Sequence, residues 1–217
     1  TFSGANTYTG ATNINSGTVA MGAGGSLAFS SGINIAAGAT FSVAAGGNPT
    51  IKDLSGASGS PLILGNNNTN ILTFGTANNT NFDGAISGNG GVAKQGSGTF
   101  SVSGANTYSG PTTINAGIMQ AGAANTFSPL SAVTLANQSG VSLNLNNFNQ
   151  TLSSLAGGGT SGGTVNLGTA TLTVGSNNAN TVYGGAIEGM GGVTKIGTGS
   201  VTLSGSHTFT GPTTVEA

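Results

Sequence analysis

The chain has 217 residues, of which 41 are Gly, 31 Thr, 25 Ser and 25 Asn; only seven side chains carry a formal charge, and the net charge is −1. Three scattered lysines cannot displace counterions from phosphate, which excludes nucleic-acid binding, and the absence of Cys excludes disulfide and thiolate-metal scaffolds. Abundant Gly, Ser, Thr and Asn work against long helices, while a hydrophobic content of 36% in short alternating runs argues against disorder, leaving an all-β, turn-dense protein.

Taken in chain order, the sequence opens at Thr1-Phe2-Ser3-Gly4 with no initiator Met and no apolar leader, so it is expected to be a piece of a longer chain. A strand is predicted from Thr12 to Gly17. Leu62-Ile63-Leu64 is among the longest apolar runs, far short of the ~20 residues that span a bilayer as a helix. Leu72-Thr73-Phe74-Gly75 is weakly similar to Leu172-Thr173-Val174-Gly175, and Phe100-Ser101-Val102 and Thr112 to Gly117 follow as strands. Val141 to Leu145, Thr171 to Val174, Val201 to Leu203 and Thr213 to Ala217 complete the set. Each alternates apolar and small polar residues, which puts one face inside and one outside. Gly, Asn or Ser recurs every 8–12 residues and supplies the corners.

The strongest signal is internal repetition. Ser3-Gly4-Ala5-Asn6-Thr7-Tyr8-Thr9-Gly10 returns as Ser103-Gly104-Ala105-Asn106-Thr107-Tyr108-Ser109-Gly110, and again as Ser204-Gly205-Ser206-His207-Thr208-Phe209-Thr210-Gly211. Upstream, Gly90 to Gly98 matches Gly191 to Gly199, with Lys94 and Lys195 at the same place. The chain is therefore expected to be a single β-helix, residues 1–217. It divides into super-repeats of about a hundred residues, approximately 1–103 and 104–204, and the start of a third, 205–217. A barrel has no reason for such a period, whereas stacked coils do. The expected fold is a right-handed parallel β-helix (a β-solenoid) of 20–25 residues per coil. At ~4.8 Å per coil it would form a rod roughly 45–50 Å long, like segment stacked on like. Phe100, Val102 and Ile114 are matched by Val201, Leu203 and Val215, the pattern of a core that keeps bulk and frees shape.

The run from Gly90 to Gly117 resembles the autotransporter-associated β-strand repeat, also called the passenger-associated transport repeat. Gly192 to Ala217 is similar to the same pattern, and Thr1 to Gly17 to its second half. Pro111, Pro212, His207 and Glu216 depart from it without disturbing the apolar alternation. The resemblance implies a parallel β-helix in the secreted passenger of a type V autotransporter of a Gram-negative bacterium. It implies a partner, a C-terminal β-barrel of the parent chain in the outer membrane. It also implies a location on the cell surface or in the medium, and a repeat that assists passenger secretion. Absent disulfides and ionic clusters suit a chain that threads a narrow pore.

Candidate chemistry is sparse. Carbohydrate-cleaving β-helix enzymes use clustered carboxylates, often with Ca²⁺, but Asp53, Asp83, Glu188 and Glu216 are spread along the chain and no Arg accompanies them. Gly159-Thr160-Ser161-Gly162-Gly163 fits GxSxG and Gly157 to Gly162 fits GxGxxG. In so Gly-rich a chain such matches arise by chance, and no helix is expected after them. His207 stands where the other copies carry Asn6 and Asn106, so it reads as a polar turn residue. Lys94 and Lys195 read as solvated turn side chains, with a surface contact as the functional alternative. Tyr8, Tyr108 and Phe209 share a position and read as a stacked aromatic ladder, with sugar stacking as the alternative. The clusters Asn66 to Asn68, Asn144 to Asn149 and Asn177 to Asn180 suit left-handed turns or Asn ladders. No catalytic, cofactor-binding or metal-binding residue is expected.

Three functions compete on this reading. The first is a non-enzymatic structural segment of a displayed passenger, with adhesion or self-association as added roles and a host surface, a glycan or another copy as partner. The second is a glycan-binding or polysaccharide-degrading β-helix protein acting through Asp83 or Glu188. The third is ice binding by Thr-x-Thr arrays, against which the arrays Thr7-Tyr8-Thr9, Thr171-Leu172-Thr173 and Thr208-Phe209-Thr210 are not expected to recur coil by coil.

Overall fold

A computed structural model describes residues 1–45 and 47–216; Ala217, the last residue of the third motif copy, lies outside them. The described chain is a parallel β-solenoid of about ten coils with no helix. Every ladder between its strands is parallel, and the one antiparallel contact is the tight turn Gly159–Gly162. Coils run from 19 residues, where Val102 lies beside Ala121, to 26, where Gly56 lies beside Phe82. Counting ~4.8 Å for each of about ten coils, the rod is about 48 Å long.

Three faces wrap a thin core. The long face stacks nine strands, from Thr12–Ile14 to Ile187–Glu188. The second face stacks seven, from Ile71–Phe74 to Val201–Leu203. The third face is interrupted: it holds Thr18–Ala20 to Ile86–Ser87, then two coils without strands, then Gln150–Leu152 to Thr213–Val215. Across the gap, side-chain amides replace the backbone ladder. The Ile86 N–H donates to Asn106 Oδ1 at 2.7 Å, and Asn106 Nδ2 donates to the Thr126 carbonyl at 2.6 Å. The N–H groups of Thr126 and Phe127 then donate to Gln150 Oε1.

The period-2 alternation does what the sequence predicts. In Thr99–Val102, Phe100 and Val102 are buried, and Phe100 meets Phe74 edge to face with centroids 4.5 Å apart. Ile114 is buried as well, but its counterpart Val215 is exposed because no described coil covers it. Corners use left-handed residues at Asn125, Asn146, Asn147 and Asn178, as two of the Asn clusters predict.

Copies of the motif do not stack on one another, contrary to expectation. From Thr12 on the long face, the chain makes four coils and two further faces before Thr112, which lies on the second face. The same advance carries the motif from Thr112 to Thr213, on the interrupted face. The super-repeat is thus about four and two-thirds coils, and successive copies occupy different faces. The physical reason is coil length: a period of about a hundred residues is not a whole multiple of coils averaging near 22 residues. The motif therefore stacks on sequence from outside its other copies, as where Thr112 lies between Val92 and Val133.

Candidate functional site

The repeated motif carries the chain's concentrated polar chemistry, and it uses that chemistry inward. Tyr108 is fully buried, and its hydroxyl shares a 2.6 Å hydrogen bond with Thr112 Oγ1, one strand start later. Thr112 Oγ1 in turn lies 2.8 Å from Ser131 Oγ on the following coil, and Ser131 Oγ donates to the Gly110 carbonyl at 2.7 Å. The first copy repeats this relay on other faces: Tyr8 to Thr12 at 2.6 Å, Thr12 to Ser30 at 3.0 Å, and Ser30 to the Gly10 carbonyl at 2.9 Å. A buried hydroxyl needs a partner, and here each finds one. Burial pushes the Tyr108 phenol up to about 12, against the pull of Thr112 and Ser131.

The predicted aromatic ladder is not there. Tyr8, Tyr108 and Phe209 lie more than four coils apart and on different faces, so they cannot stack. Tyr8 remains 39% exposed against 1% for Tyr108. Recurrence at this position reflects the hydroxyl clamp, which Phe209 lacks. The serines that complete the relay stand 18 and 19 residues after Thr12 and Thr112, outside the motif. That spacing is the sequence signal that could have revealed them.

Lys94 also departs from its reading as a solvated turn residue. It is 2% exposed, and its ammonium donates to the carbonyls of Gln95 at 2.5 Å, Gly96 at 2.8 Å and, on the following coil, Ala116 at 3.3 Å. Desolvation pushes the ammonium down to about 8, opposed by the charge of Asp53. Lys195 makes the two equivalent bonds within its own corner, to Ile196 and Gly197. Neither the composition nor the spacing indicates that these cations turn inward.

His207 takes the structural place of Asn106. Its Nδ1 accepts the Ile187 N–H at 3.2 Å, as Asn106 Oδ1 accepts that of Ile86. Its Nε2 is buried and has no hydrogen-bond partner among the described residues. Burial lowers the imidazole pKa, so the native chain holds it neutral. Stability from this contact is therefore present above the unfolded value near 6.5 and is lost as pH falls below it. Amide exchange at Ile187, corrected for intrinsic rate, is expected to quicken as pH drops from 7 to 5, and His207→Asn to abolish that change.

The remaining candidates do not converge. Asp53 accepts from Thr76 Oγ1 at 2.6 Å and Asn78 Nδ2 at 2.7 Å. Asp83 follows the Thr80–Phe82 strand, five strands from Glu188 along the long face, or about 24 Å. Paired glycosidase carboxylates stand no more than about 10 Å apart. Among the described residues no three of His, Cys, Asp or Glu gather as a metal site would require. Ser161 sits in the Gly159–Gly162 turn with its N–H on Asn137 Oδ1, and the only imidazole lies two coils on. A column of single Thr residues recurs coil by coil, with Thr151, Thr173, Thr194 and Thr214 in register on the interrupted face, but the Thr-x-Thr arrays do not. It is one residue wide, since Asn149, Thr171, Gly192 and Pro212 occupy the neighbouring positions.

A parallel β-solenoid whose recurring motif clamps one coil to the next defines a repeat-built rod. The passenger-associated-transport-repeat family matches the chain at residues 1–21, 92–121 and 193–217, so the chain is a repeat segment of an autotransporter passenger. It is also 38% identical over 148 residues to the adhesin BmaC autotransporter of Brucella suis biovar 1 (strain 1330). That match covers 67% of this chain and 4% of the relative. No solved structure matches the chain.

Proposed function

We infer that the chain is a non-enzymatic structural segment of a surface-displayed autotransporter passenger, one that supports passenger folding during secretion and contributes to adhesion. It lies outside the outer membrane of a Gram-negative cell, and its constant partner is the C-terminal β-barrel of its own parent chain. Further partners are a host surface, a glycan or another copy of the chain. The single observation that carries this reading is the inward use of the motif: Lys94, Asn106 and Tyr108, the residues that recur, are buried braces between coils and leave no converged reactive groups. The relative's description as an adhesin supports the adhesive role. The separation of Asp83 and Glu188 weighs against polysaccharide cleavage.

The test compares cells displaying the full parent passenger with cells whose passenger lacks residues 1–217. Deletion is expected to reduce protease-accessible passenger at the surface several-fold, and attachment per displayed molecule to fall as well. Unchanged display and unchanged attachment would refute both roles, and hydrolysis of a polysaccharide by the purified segment would refute the non-enzymatic one.

A further inference from the structure

The first two motif copies engage the coil after them alike, although they occupy different faces. Asn6 and Asn106 each donate from Nδ2 to a carbonyl 20 residues later, at Ser26 and Thr126. Thr12 and Thr112 each reach a Ser hydroxyl on the next coil, which returns to the Gly10 or Gly110 carbonyl. Lys94 adds the Ala116 carbonyl, 22 residues on. Since the geometry survives a change of face, it belongs to the motif and to groups spaced one coil beyond it.

We propose that each transport-repeat copy is a directional latch, whose polar side chains close on the backbone and Ser hydroxyl of the coil that follows it toward the C-terminus. Until that coil is in place Thr112 lacks Ser131, Asn106 Nδ2 lacks the Thr126 carbonyl and Lys94 lacks the Ala116 carbonyl, and burying polar groups short of partners is unfavourable. The latch concerns this chain alone. Its consequence for export rests on the passenger reading: a passenger whose coils are latched together is harder to unfold once it is outside.

Thr112→Val, nearly the same shape, removes the hydroxyl that joins Tyr108 to Ser131. In the whole chain, hydrogen exchange resolved by residue compares the two strands flanking Thr112–Ile114 on its face, Gly91–Lys94 before it and Ala132–Leu135 after it. The expected result is at least tenfold faster exchange in Ala132–Leu135, with Gly91–Lys94 changed less than twofold. Tyr183→Phe, whose hydroxyl donates backward to the Gly163 carbonyl, is expected to show the opposite asymmetry, quickening Thr164–Asn166. If Thr112→Val does not fold, Ser131→Ala serves in its place, since it removes the hydroxyl that Thr112 reaches on the next coil. Equal acceleration on both sides, or none on either, overturns the latch. Asymmetric exchange with unchanged display of a full passenger carrying the same substitution leaves the latch standing and removes its role in secretion.

Discussion

Gly104→Ala is expected to lower the unfolding free energy of the 217-residue chain by about 3 kcal/mol, while Gly4→Ala changes it by less than about 1. The two glycines occupy the same motif position a hundred residues apart. A Cβ at Gly104 would lie 1.8 Å from the Gly84 carbonyl oxygen of the coil beneath, a backbone atom that cannot step aside without breaking the stack. A Cβ at Gly4 meets nothing within 4 Å. Urea unfolding followed by circular dichroism reads both variants. Equal effects would mean that the coils are not packed at the spacing described here.

Lys94→Met should cost about 3 kcal/mol, and Lys52→Met less than about 0.5. Lys52 makes one exposed bond, to the Phe29 carbonyl, and losing it leaves nothing buried. Lys94 leaves the carbonyls of Gln95, Gly96 and Ala116 without their donor. The same substitution removes a pH signature. With the native ammonium at about 8 and the unfolded one near 10.5, the unfolded chain binds more protons between those values. Wild-type stability therefore rises with pH through that window, and the variant should not share the rise. Above pH 10 the trend reverses, because unfolded phenols ionise before the buried Tyr108, whose value is about 12. Melting temperatures from pH 7 to 11 separate the two trends, and an identical slope in Lys94→Met would dismiss the ammonium as its source.

Much of the fold was legible because it rests on local rules. Alternation in Phe100-Ser101-Val102 and Thr171-Leu172-Thr173-Val174 named the buried residues, and Asn146, Asn147 and Asn178 take the left-handed corners their chemistry favours. The family resemblance drawn from Gly90 to Gly117 likewise agrees with the matched residues. The stacking partners were not legible. Which residues meet depends on the summed lengths of coils between them, and the 26-residue coil at Gly56–Phe82 or the 19-residue coil at Val102–Ala121 shifts every later contact. That is why Tyr8 and Tyr108 looked like a ladder and are instead two separate clamps. Lys94 looked solvated because a cation in a Gly-rich turn normally is. Only the arrival of Ala116 from the following coil buries it.

Because a super-repeat stops a third of a turn short of five coils, its number in the parent gene does more than set length. Inserting or losing one such unit would swing every surface beyond it through about 120° about the long axis. Two alleles differing by a single unit would then present their distal portions a third of a turn apart around the same stalk, and only a change of three units would restore the original heading.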